Sequence, residues 1–233
     1  MSLISNFIFL IIFSTSLIFF CRNFSKIIRN IKLGQDIGQV GNKKERWKNV
    51  LLIAFGQKKM FKKPIVAVLH LVVYLGFLII NIEIIEIILD GLFGTHRILF
   101  SPSWSGLYTT LINAFEILAL LVLICCIIFL IRRNIVRIKR FWSSEMKGWP
   151  TSDANLILIF EVLLMSAFLI MNAADLGLQQ IVTDQSYLQK YPDTGNFVIS
   201  GMIVSLFDGV SPYTLFVIER SCWWFHILGI FGF

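Results

Sequence analysis

Five apolar runs, each long enough to cross a lipid bilayer, dominate this chain: about residues 3–21, 64–90, 108–131, 155–175 and 213–233. A helix rises about 1.5 Å per residue, so about 20 residues cover the roughly 30 Å hydrocarbon core. Lipid offers no water to satisfy backbone polar groups, which leaves helices or closed barrels as spanning forms. The runs are continuous rather than alternating, which excludes barrel strands. The expected fold is therefore all-α: a polytopic membrane helical bundle of about five transmembrane helices. Residues 1–233 read as a single bundle rather than two domains, and 57% hydrophobic against 15% charged residues fits that class.

Lysine and arginine fix the expected orientation. The stretch from Arg22 to Lys63 holds twelve, the stretch from Arg132 to Lys147 holds six, and the other connections hold Arg97 and Lys190. Basic loops stay cytoplasmic, so the N-terminus is expected outside and the C-terminus in the cytoplasm. Clustering at membrane boundaries also removes nucleic acid as the reason for the net charge of +7. The first run carries its basic residues after the apolar stretch, which marks an uncleaved helix rather than a signal peptide. Phe197–Phe207 is apolar but only eleven residues long, and reads as an interfacial or re-entrant helix. Lys43–Lys63 mixes basic and apolar residues; an amphipathic surface helix and simple positive-inside flanking both account for it.

Intramembrane ionisable residues are costly and therefore functional candidates. His70 stands about six residues into the second run, and His226 about seven residues from the end of the fifth. On antiparallel helices both would lie roughly 10 Å inside the cytoplasmic face, at the matched depth that bis-histidine ligation of a haem b iron requires. Gly76 and Gly229 would let a macrocycle approach, and Trp223, Trp224 and Phe225 supply flat apolar surface near His226. The competing reading of each histidine is an ordinary interhelical hydrogen bond. His96, beside Arg97 beyond the second run, lacks a fourth histidine as partner; it suits a loop contact or an outer quinone or proton site. A second haem finds no further ligands.

Carboxylates form the next set. Glu83, Glu86 and Asp90 share one face of the second run at i, i+3 and i+7. Glu116, Glu161 and Glu219 lie in later runs, with Arg220 beside Glu219. Buried carboxylates suit proton transfer from a quinol, which makes Glu219, Arg220, His96 and Glu116 candidates for a quinone or proton site. Ion pairing between helices accounts for each residue taken singly. Arg220 would pair with a carboxylate of the second or third helix or meet a haem propionate. In GWPTSDAN (residues 148–155), Ser152–Asp153 read as a cap for the fourth helix. Cys21, Cys125, Cys126 and Cys222 lack metal-site spacing and read as small packing residues. Met165, Met171 and Asn172 read as core.

The phrases FGQKKMFKKPIVAVLHLVVYLGF, GLFGTHRILF, GWPTSDANLILIFEVLLMSAFLIMNAADLGLQ and ERSCWWFHILGI resemble the membrane part of bacterial (Fe-S)-binding oxidoreductases. There a nitrate-reductase-gamma-like cytochrome b domain precedes a heterodisulfide-reductase-like iron–sulfur domain. The resemblance covers roughly residues 55–233. It implies a bacterial inner-membrane haem b subunit relaying electrons between the quinone pool and a cytoplasmic iron–sulfur protein or domain, with His70 and His226 matching the family's histidines. The cysteine-rich motifs that follow in that family are absent here. The run WWFHILGIFGF also stops without a polar flank, so a following cytoplasmic iron–sulfur domain is expected to be missing. Iron–sulfur clusters then belong to that part or to a partner. A non-catalytic anchor, a truncated remnant and a small transporter are the alternatives.

Overall fold

A computed structural model of the chain describes residues 3–34, 38, 41–146, 148–181 and 191–232. Lys147, Lys190 and Phe233, which entered the reading of loops and ends, lie outside the described residues. Seven α-helices are described: α1 (Leu3–Lys32), α2 (Lys43–Asn49), α3 (Pro64–Phe93), α4 (Ser105–Asn134), α5 (Trp149–Ile181), α6 (Ser200–Ile203) and α7 (Pro212–Gly232). No strand occurs among the described residues. The five long helices, α1, α3, α4, α5 and α7, are long and apolar enough to cross a membrane. The fold class follows the sequence expectation.

The helix ends differ from it, for identifiable reasons. Helix α1 continues past Cys21 to Lys32, because RNFSKIIRNIK remains good helix-forming sequence after its apolarity stops. Helix α5 begins at Trp149, so Ser152 and Asp153 sit inside the helix instead of capping it. Gly148, at φ +81°, supplies the first carbonyl to Thr151 and Ser152. Proline is tolerated at such a start, where its missing N–H costs nothing. Phe197–Phe207 folds as α6 plus a 3₁₀ turn at Val204–Phe207 packed against α5, too short to cross.

Two compact units divide the chain: Met1–Leu10 with Val72–Phe233, and Ile11–Leu71. In the first, α5 packs against both α4 and α7. The whole stretch Met171–Leu178 is buried, and small residues let the helices close in. Gly229 faces the ring of Phe160, and Gly177 faces Leu215. At the first turns of α1, Phe9 is fully buried. Its ring lies on Gly91 of α3 and 5.7 Å from that of Trp223, while Asn6 Nδ2 donates to the Gly91 carbonyl at 3.1 Å.

The second unit carries the basic Lys43–Lys63 stretch, which is not one amphipathic helix. Asn42 caps α2 by accepting from Lys44 N at 3.0 Å. The helix then widens to a π-turn over Val50–Phe55 and stops at Gly56, where a Cβ would meet the Leu52 carbonyl at 2.9 Å. The side chains of this segment are almost all exposed.

Gly91→Ala drives a methyl to within 2.5 Å of the Phe9 ring. Thermal unfolding in detergent should show a loss of about 1–3 kcal/mol, typical of overpacking. The same change in a Phe9→Leu background should cost less; an equal cost would show that the two positions do not touch.

Candidate functional site

The loop after α3 folds back over the helix ends and carries one buried guanidinium. Arg97 sits at φ +54°, the left-handed region that costs a side-chain-bearing residue energy. Asp90 holds it there. Its carboxylate accepts from Arg97 N at 2.8 Å, Ile98 N at 3.0 Å and the Thr95 hydroxyl at 2.6 Å. Glu86, one turn earlier, accepts from Leu99 N at 3.0 Å. Two of the three carboxylates that the i, i+3, i+7 spacing puts on one face of α3, Glu86 and Asp90, thus pin the loop.

Every arm of the Arg97 side chain is used. Nε donates to Asp175 at 2.6 Å, one terminal nitrogen to the Tyr108 hydroxyl at 3.1 Å, and the other to Asn172 Oδ1 at 2.9 Å. The Tyr108 hydroxyl donates onward to Glu86 at 2.9 Å. Asn172 donates to Glu116 at 3.3 Å. Burial works against the Arg97 charge, yet Tyr108, Asp175, Glu83 and Glu86 around it hold its pKa above the ordinary arginine value.

A second branch runs from Asp175 to α7. Arg220 can only donate, and one of its terminal nitrogens lies 3.3 Å from His96 Nδ1. Nδ1 is therefore the acceptor, and His96 Nε2–H donates to Asp175 at 3.1 Å. The Arg220 guanidinium pairs with Glu219 and sits 5.4 Å above the Trp223 ring. Its partners are thus Glu219 and His96, not a carboxylate of α3 or α4.

These groups enclose a cavity of about 20 Å³ lined by Glu83, Asp90, His96, Asp175, Glu219 and Arg220 among others. A water needs about 10–15 Å³ measured this way, so the space suits water and protons and excludes a ring. Glu116 lies elsewhere. It is fully buried, and its oxygens accept from Ile199 N at 2.9 Å, Ser200 N at 3.1 Å and the Ser200 hydroxyl, which caps α6.

The two sequence-selected histidines lie in different units. His226, in the first, is buried, and its Nδ1 meets the Cys222 carbonyl at 2.9 Å. It lines a mostly apolar cavity of about 130 Å³ with Gly76, Glu83, Glu161, Phe168 and Met165. A backbone carbonyl on Nδ1 is the partner that orients a ligating imidazole; the ring also bonds the Leu164 backbone, a contact that a metal on Nε2 would replace. In donor chemistry His226 fits haem iron. The volume falls below the roughly 300–1,000 Å³ of pockets that enclose even drug-sized ligands. Space above Gly76 is taken by Val122 of α4, and Trp223 is buried against Phe9. His70 belongs to the second unit, on the first turns of α3, with an exposed side chain.

No spacing pattern in the sequence marks Tyr108 or the pairing of Arg97 with Asp175, and Asn172, which reads there as core, is a member of the network. An aspartate inside the apolar run MNAADLGL was the available signal, since a lone charge there demands a cation.

The chain is 28% identical over 203 residues to the probable iron-sulfur-binding oxidoreductase FadF of Bacillus subtilis (strain 168). That match covers 87% of this chain and 26% of the relative, so the chain spans about a quarter of the length of the curated relative it matches. No family model matches the chain. No solved structure matches it.

Asp175→Ala leaves the Arg97 guanidinium buried without its ion pair. Breaking a buried pair from one side costs about 3–5 kcal/mol, and chemical unfolding of the purified chain should show a loss of that order. Arg97→Lys should also destabilise, because one ammonium cannot reach Asp175, Tyr108 and Asn172 together.

Proposed function

We propose that this chain is the membrane-embedded electron-transfer part of an iron–sulfur oxidoreductase system in the bacterial inner membrane. It would relay electrons between a quinone and an iron–sulfur partner through haem b. Two supports are independent. The chain is similar over most of its length to about a quarter of a protein named as a probable iron-sulfur-binding oxidoreductase. The observation that carries the reading is the buried network in which His96 and Arg97, on the loop after α3, meet Asp175, Glu219 and Arg220 of helices that are otherwise apolar. Ionisable groups in such helices mark proton or ion pathways, and quinone chemistry couples electrons to protons.

In this reading the basic Arg22–Lys63 and Arg132–Lys147 segments face the cytoplasm and the Arg97 network lies towards the outer face. His226 would ligate the haem iron through Nε2 while the Cys222 carbonyl holds Nδ1. His70 would be the second ligand, a reading that rests on its depth in the sequence alone. A bound haem supplies a one-electron iron couple, tuned by its axial ligands and its dielectric surroundings. The residues around His226 would part to admit the macrocycle, since Gly76 and Gly229 now receive Val122 and Phe160. His96 and Glu219 would hold and pass protons around their water-sized cavity, while the permanently charged Arg220 guanidinium orients them. The iron–sulfur clusters belong to the partner module.

Reduced-minus-oxidised absorption spectra of membranes containing this chain test the proposal. A b-type signal is expected in the wild type, and its loss in both His226→Ala and His70→Ala variants that still insert. A folded wild-type chain that takes up no haem when haem is supplied would overturn it.

A further inference from the structure

Glu83 is the one acidic side chain on α3 whose carboxylate the loop does not consume. It is 3% exposed, and its Oε2 has no hydrogen-bond partner among the described residues. A buried acceptor left unmade costs about 1–3 kcal/mol, more for a charged group. Its neighbours differ: Glu86 is engaged by Leu99 and Tyr108, and Asp90 by Thr95, Arg97 and Ile98.

A cavity of about 160 Å³ lies between α3 and α4, with Glu83, Glu86 and Tyr108 among its lining. The remaining lining is apolar: Ile82, Leu99, Trp104, Leu107, Leu111, Ile112 and Phe115. Ile82, Trp104, Leu107 and Leu111 are also exposed, on faces that a bilayer would cover. The space therefore runs from a lipid-facing wall to the orphan carboxylate. An apolar cavity of about 150 Å³ is known to hold one benzene ring.

We infer that this cavity is a binding site for the head of a membrane-soluble molecule: a single six-membered ring bearing a hydroxyl or carbonyl. Glu83 Oε2 is its hydrogen-bond partner. A ring hydroxyl donates to the carboxylate, and a ring carbonyl accepts from it when it is protonated. The substituent tail leaves between Trp104, Leu107 and Leu111 into lipid. The inference deepens the proposed function by giving the quinone-type substrate a place, since the water-sized cavity around Arg220 excludes a ring. Glu83 also borders that smaller cavity and the one beside His226. A proton taken from a ring hydroxyl would thus sit next to both.

Equilibrium binding of a radiolabelled decyl-benzoquinone to the full chain in lipid nanodiscs tests this. The wild type should show saturable binding above partition into empty nanodiscs. Glu83→Leu, whose side chain can neither donate nor accept, should bind about tenfold more weakly, the loss of one hydrogen bond. Leu111→Phe, which fills the cavity from its lipid side, should weaken binding at least as much without touching the carboxylate. A decyl-naphthoquinone should bind less well than the single ring. Partition alone, binding unchanged in both variants, or equal binding of the bicyclic head would each overturn the site. Haem absorption, read on the same samples, keeps the two readings apart. Saturable ring binding without haem defeats the electron-relay reading only, and haem without ring binding defeats this site only.

Discussion

One positive charge, buried at the end of an apolar bundle, organises the first unit. Taking a guanidinium out of water costs several kcal/mol unless its hydrogen bonds and counter-charge are restored. Arg97 recovers them from α4 through Tyr108 and from α5 through Asn172 and Asp175. Its own backbone is held by Asp90 of α3. Helices that offer each other only lipid-like side chains have little hydrophobic reason to associate in a bilayer. Here a directional, charge-assisted network supplies the register that apolar packing leaves open. The left-handed backbone at Arg97 is tolerated because so many partners over-determine it.

The network also explains which carboxylates are structural. Asp90, Glu86 and Glu116 have their oxygens taken by groups of the loop or of the start of α6, with Tyr108 of α4 adding to Glu86 and Asn172 of α5 to Glu116. These three behave as staples for irregular backbone, which at membrane depth must be satisfied by the protein itself. Glu116, a candidate by its position in the sequence, belongs to this class: it caps α6, the short helix whose amides would otherwise be unpaired. Glu83 stands apart because the same helix face carries it one turn too early to reach the loop.

Much of this architecture was legible in the residues. Runs of lipid length force helices, and the i, i+3, i+7 spacing placed Glu83, Glu86 and Asp90 on one face. Helix ends were not legible, because apolarity marks the membrane and not the helix: α1 continues through Arg22–Lys32, and α5 starts at Trp149 before its apolar run begins. Arg97 reads in the sequence as the lone basic residue of its connection, since nothing in GTHRILF shows that the loop folds inward. That direction is set by Asp175, seventy-eight positions away. A pattern argument sees neighbours three and four residues apart; it does not see a partner chosen by tertiary packing.

Cavity size then divides the chemistry among places that residue type alone would merge. The space bounded by His96, Glu219 and Arg220, about 20 Å³, admits water and protons. The space beneath Trp104 and Leu111, about 160 Å³, is ring-sized and reaches the lipid-facing wall. The space at His226, about 130 Å³, is apolar and ends on an imidazole whose Nδ1 is already held. Glu83 lines all three. A carboxylate with a free oxygen at such a junction can change hydrogen-bond partner by a side-chain rotation alone, with no helix moving. That economy distinguishes it from the stapled carboxylates around it, each of which would have to release backbone before it could take part in proton transfer.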